Sequence, residues 1–121
     1  MSKGIYNATY FENHPEECDV EATLYCIILV NKATDKRECI KIGITKGRDW
    51  KAVLKRATGF PYHDVRIQKT VIGRLEDIYF LEDYLHELWA HERYISPVQF
   101  GGHTELFNMN QEIIKSIPST V

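Results

Sequence analysis

A small α+β fold, a three-stranded antiparallel sheet flanked by helices in the order β-β-α-β-α-α, is predicted by three features of the sequence. Two strand-like runs are separated by a turn. A third alternating run follows a short helical stretch. A long helical pattern then lies between that strand and the C-terminus. The first run, Thr23 to Val30 (TLYCIILV), is β-branched, aromatic and apolar, as in a largely buried strand. Asn31 to Lys36 (NKATDK) has turn chemistry, and Arg37 to Thr45 (RECIKIGIT) alternates charged with apolar residues. Ile40, Ile42 and Ile44 share one face of that second strand, so a solvated opposite face and a hairpin with the first strand are expected.

Arg48 to Thr58 reads as a helix with Trp50, Val53, Leu54 and Ala57 inward, ended by Gly59-Phe60-Pro61. Val65 to Ile72 (VRIQKTVI) alternates again as the third strand, and Arg74 to Tyr94 is the longest helical pattern. Ser96-Pro97 and Gly101-Gly102 mark a loop. Asn108 to Ile117 forms a closing helix, with Asn108 and Gln111 spaced as a capping box. Residues 1–22 lack periodicity and are expected to be an irregular arm before a single domain over 23–117.

The composition fits one globular domain. The chain has 121 residues, 44% hydrophobic and 26% charged, which excludes collagen-like, low-complexity and wholly disordered chains. A chain of this size buries about two thirds of its unfolded surface without staples. No apolar run approaches the roughly 18 residues of a membrane span, and Met1-Ser2-Lys3-Gly4 does not begin a signal peptide, so the expected compartment is intracellular. Cys18, Cys26 and Cys39 form no C-x-x-C pair, which argues for reduced thiols and against a disulfide framework or structural zinc.

The net charge of −2 hides an asymmetry. Lys36, Arg37, Lys41, Lys46, Arg48, Lys51, Lys55 and Arg56 face only Glu38 and Asp49 within their segment, a local charge of +6, whereas Glu12 to Glu21 contains five acids and no base. The basic segment is either a solvated helix face or a phosphate-attracting surface.

One carboxylate stands out. Projected at about 100° per residue, Leu75, Ile78, Leu81, Leu85, Leu88 and Trp89 fill one arc of the long helix. Glu82 is the only acid inside it, near its margin, with His86 one turn further along. A carboxylate pointed at a core needs a cation, a metal or strong donors, which leaves a functional group and an acid paired from the basic segment as alternatives.

These residues resemble motifs of the GIY-YIG nuclease superfamily, in particular its phage and bacterial branch with K-I-G in place of Y-I-G. Leu24-Tyr25 is similar to the first motif and Lys41-Ile42-Gly43-Ile44-Thr45 to the second. Glu82-x-x-Leu85-His86 resembles E-x-x-L-H on the metal-binding helix. Gly102-x-x-Glu105-x-Phe107 resembles the closing G-x-x-E-x-F, and Thr58-Gly59-Phe60-Pro61 the T-G-x-P after the first helix. Gly4-Ile5-Tyr6 spells the motif literally, but no buried strand follows it.

The resemblance implies a GIY-YIG-like domain that hydrolyses DNA phosphodiester bonds with Mg²⁺ or Mn²⁺. Glu82 would be the metal ligand and Tyr25 would orient or deprotonate water. Lys41 would stand for the second tyrosine, where a lysine of lowered pKa can act as base. Gly43, His86 and Glu105 would support the site, and Glu82, His86, His103 and Glu105 form an alternative metal constellation. The catalytic arginine is Arg56 or Arg48. Registering on Thr58-Gly59 would instead place Ala52, beside Lys51, at that position. The hairpin from Tyr25 to Gly43 is longer than the family's usual one.

DNA contacts are expected from Lys46, Lys51, Lys55 and His63, with no membrane partner. Homing-type members append a DNA-recognition domain, so weak sequence specificity, a homo-oligomer or a protein partner is expected here. A phage or mobile-element setting, hence the host cytoplasm, follows from the branch. The other readings are a nuclease-like module that binds nucleic acid or a protein without cutting, and an interaction protein such as a viral inhibitor.

Overall fold

The computed structural model describes residues 8–31, 33–52, 64–97 and 105–121. Three long strands form the sheet: β1 (Glu21–Asn31), β2 (Lys36–Lys46) and β3 (Asp64–Arg74), with a two-residue strand β4 (Leu106–Phe107). The helices are α1 (Ala8–Asn13), α2 (Leu75–Leu88) and α3 (Gln111–Lys115). The sheet order is β3-β1-β2-β4, and every pairing is antiparallel. The expected α+β architecture is therefore present, with a fourth, short strand at the β2 edge that the sequence reading did not include.

β1 is the central strand, and it is buried on both faces from Ala22 to Val30, as its unbroken apolar run requires. Its even-numbered residues Leu24, Cys26 and Ile28 join Ile40, Ile42, Val71 and the inward side of α2 in the larger core cluster. Its odd-numbered residues Tyr25, Ile27 and Leu29 face the other way, with Cys39 and Leu106, under Trp50, Val65 and Tyr94. The hairpin register sets Tyr25 directly opposite Gly43 and Ile27 opposite Lys41.

The expected solvated face of the second strand is corrected at its centre. β2 is buried without a break from Cys39 to Gly43, Lys41 included. Alternation of charge with apolar residues indicates two different faces, but not which of them meets water.

The expected irregular arm is also corrected over its described part, 8–22. α1 packs Phe11 into the core, edge-to-face on Tyr79 at 5.5 Å. The backbone carbonyls of Cys18 and Val20 accept hydrogen bonds from the amides of Glu76 and Leu75. They thereby satisfy donors that the first turn of α2 leaves open. Glu21 and Ala22 already belong to β1.

Other boundaries move for local reasons. α2 ends at Leu88 rather than Tyr94, and a 3₁₀ turn over Ala90–Glu92 leads Arg93 into a bridge with Phe107. The cap of α3 is Asn110, not Asn108; its side chain accepts from the Glu112 amide at 3.0 Å. Asp49 caps the helical start at 50–52 by accepting from the Ala52 amide at 3.1 Å. The remainder of that expected helix and Thr58-Gly59-Phe60-Pro61 lie outside the described residues. The cysteines are free thiols, and Cys26 and Cys39 are buried. Among the described residues no helix is long and apolar enough to cross a membrane.

Candidate active site

α2 presents its carboxylate more centrally than the sequence projection placed it. Its buried residues are Leu75, Ile78, Tyr79, Glu82, Leu85 and His86. At 100° per residue they span about 120°, and Glu82 falls in the middle. The helix is thus rotated relative to the leucine-centred arc, and Leu88 is exposed. Glu82 is 1% exposed. His86, one turn on, places Nε2 3.1 Å from the Ile42 carbonyl and packs edge-to-face on Phe107. A carbonyl only accepts, so Nε2 carries the proton of that hydrogen bond.

The sheet brings the other polar groups to this point. Lys41 donates from Nζ to Glu105 Oε1 at 2.8 Å and to Tyr25 Oη at 3.2 Å. β4 makes the first contact possible, because pairing Leu106 with Lys41 sets Glu105, the preceding residue, beside the ammonium. Glu82 is near enough to Glu105 to influence its ionisation. Two carboxyl groups that close hold a proton or a cation between them, since like charges in one site do not both ionise freely.

Gly43 is explained by the same geometry. A Cβ there would lie 2.5 Å from Tyr25 Oη and 3.0 Å from Lys41 Nζ. The tyrosine hydroxyl packs into the space that a side chain would fill.

Burial and charge set the protonation states. Burial pulls the Lys41 ammonium down, but Glu105 and Tyr25 outweigh it and hold the group well above its ordinary value. Burial pushes the Tyr25 phenol up, and the opposing pull of Lys41 does not cancel it. Burial also pushes Glu105 up, but the charge and hydrogen bond of the Lys41 ammonium, with smaller contributions from His86 and Glu82, hold it below the usual carboxylate range. For Lys41 the direction is opposite to the lowered pKa that a lysine base requires.

The structure gathers Tyr25, Lys41, Gly43, Glu82, His86 and Glu105. It does not gather the other described basic candidates. Arg48 makes a two-point contact with Glu21, at 2.7 and 3.0 Å, on the exposed surface. Glu21 is four residues from Tyr25, about 13 Å of strand. Lys46 pairs with Glu17 at 2.7 Å. Lys51 is exposed and lies over the Trp50 ring. The acidic and basic segments thus partly neutralise one another. Lys55, Arg56, His63 and His103 fall outside the described residues.

Trp50 is the side chain that the sequence reading assigned only to the core. It stacks on Tyr25 with ring centroids 5.6 Å apart and covers one side of the cluster. Its place directly after the helix-capping Asp49, at the start of a helix beside the hairpin, is the signal that could have marked it.

Comparison with known proteins yields one family. The T5orf172 domain matches residues 23–121, a span that begins in β1 and holds all six clustered residues. No curated protein and no solved structure matches the chain. The match over most of the chain establishes that this protein belongs to the T5orf172 domain family, a phage-associated domain related to GIY-YIG nuclease-like folds.

Proposed function

We propose that the chain is a divalent-metal-dependent endonuclease that hydrolyses DNA phosphodiester bonds inside the cell. The observation that carries the reading is the cluster of buried Tyr25, Lys41 and Glu82 with half-buried Glu105, drawn from β1, β2, α2 and the approach to β4. Burying several such groups together is costly in desolvation, which makes their convergence a candidate functional site.

The donor set fits Mg²⁺ or Mn²⁺. Glu82 and Glu105 offer carboxylate oxygens, and Lys41 balances only one negative charge. Among the described residues no group of three or more His, Cys, Asp or Glu forms a metal cage. A hard ion of this kind is typically held by one or two carboxylates, with water and substrate phosphate completing its shell. Glu82 is the ligand in this proposal, with Glu105 beside it. Such an ion, when bound, acts as a Lewis acid on a phosphate oxygen.

The remaining roles belong to the chain. Tyr25 accepts from Lys41, so its own hydroxyl proton is the one it can donate, and it orients water or phosphate rather than taking a proton. Lys41 holds its proton in this arrangement and supplies positive charge beside Tyr25.

Supercoiled plasmid with Mg²⁺ or Mn²⁺, beside a Glu82→Ala variant, tests the proposal. Metal-dependent nicking that the variant loses is the expected result. An intact wild type that cuts under no metal or salt condition would sink it. The engagement of Arg48 by Glu21 favours a second reading, a module that binds DNA without cutting. Salt-sensitive binding without nicking would select it.

A further inference from the structure

An ammonium group has three N–H donors. On Lys41 one goes to Glu105 at 2.8 Å and one to Tyr25 at 3.2 Å. Two fixed donors on a tetrahedral nitrogen set the direction of the third. The Lys41 side chain is 3% exposed, so this donor is a desolvated one, not a screened surface charge. Arg48, the described arginine candidate, is spent on Glu21 at the surface.

We propose that Lys41 is the phosphate-binding cation of the site, giving its third N–H to a non-bridging oxygen of the scissile phosphate, and that Glu105 is the positioning residue that aims it. The inference rests on the nuclease-like reading of this cluster and assigns Lys41 a role different from that of a second tyrosine. Phosphoryl chemistry requires a positive charge where negative charge develops, and a charge already held in place needs no reorganisation when the substrate arrives. Tyr25 and Glu105 supply that fixation from one side each. Glu105 touches no phosphate in this arrangement and acts through Lys41.

The test reads binding and cutting separately. The affinity of the full chain for a labelled DNA duplex is measured in EDTA over a range of salt, for wild type, Lys41→Met, Lys41→Arg and Glu105→Gln. Loss of one phosphate contact lowers the slope of log K against log salt by about 0.9. Lys41→Met is expected to show that loss, whereas Lys41→Arg and Glu105→Gln keep the wild-type slope. With Mg²⁺, Lys41→Met is expected to lose about 10²–10³-fold in kcat, the scale for removing one preorganised charge donor. Glu105→Gln is expected to lose kcat with KM unchanged. Thermal melts establish that each variant is folded, and if Lys41→Met is not, the arginine and glutamine variants carry the test.

A wild-type slope in folded Lys41→Met would overturn the proposal, as would a wild type with no affinity for DNA. So would a folded Lys41→Arg with full binding but no cutting, in an enzyme whose rate rises with lysine deprotonation, since arginine keeps the charge but cannot serve as a base. A wild type that binds with the predicted lysine contact but never nicks DNA would defeat the nuclease reading alone and leave this inference standing.

Discussion

Two ion pairs in this protein have nearly the same length and opposite surroundings. Lys41 meets Glu105 at 2.8 Å with side chains 3% and 21% exposed, and Arg48 meets Glu21 at 2.7 Å with side chains 66% and 49% exposed. Both bases come from the segment 36–56. At the surface, water screens each charge whether or not its partner is present, so the Arg48 contact organises a side chain and little else. In the interior each charge depends on the other, and the pair acts as one unit with Tyr25 and Glu82. The two lengths are nearly equal, so distance alone does not distinguish the pairs; burial does.

The strongest way to break the comparison is to remove one buried partner. Glu105→Ala leaves the Lys41 ammonium without its carboxylate, and urea unfolding is expected to show a loss of about 3–5 kcal/mol. Replacing both residues, as Lys41→Met with Glu105→Leu, is expected to recover most of that loss while abolishing cutting, because no uncompensated charge then remains. A double replacement as unstable as the single one would mean that Glu105 serves packing rather than charge.

Gly43→Ala comes next. Its methyl group would meet the hydroxyl of Tyr25, which is 1% exposed and stacked by Trp50. The expected cost is about 1–3 kcal/mol of overpacking. The displaced ring also moves the Lys41 partner, so nicking should fall further than stability. A fully active, fully stable variant would show that the Tyr25 hydroxyl position is not critical.

The pH dependence sharpens the contrast at intermediate size. Glu105 is held below its ordinary pKa, so its contribution is present above about pH 4–5 and is lost as the pH falls through the folded value. Lys41 is held above its ordinary value, so its contribution is present below about pH 10 and is lost as the pH rises through the folded value. Stability should therefore plateau between those limits, and both shoulders should flatten in the double replacement. Melting temperature against pH for the two proteins measures this.

The smallest effect is expected at the surface pair. Arg48→Ala should shift the unfolding midpoint slightly at low salt and not at all at high salt. It should also leave nicking unchanged. A large loss of cutting would return Arg48 to the list of active-site candidates and argue that its contact with Glu21 yields when DNA binds.

Much of this architecture follows from local pattern. The unbroken apolar run of β1, the alternation of β2 and β3 and the long amphipathic period of α2 each need only neighbouring residues to be recognised, and each is present. Glu82 was legible for the same reason, as an acid on an apolar helix face. The described part of the arm 8–22 was not, because Phe11 and the carbonyls of Cys18 and Val20 have meaning only against α2, more than fifty residues away.

The sequence by itself determined the three long strands, their order with the long helix that follows them, and the choice of Glu82, since periodicity and side-chain polarity act over a few residues. Tertiary structure decided the charge states and the partners. Lys41 meets Glu105 across 64 residues and Arg48 meets Glu21 across 27, so the one becomes a buried cation and the other a surface contact. The electrostatic energy of a side chain depends on how far its neighbours exclude water, and that exclusion exists only once the sheet, α2 and the β4 edge have closed around it.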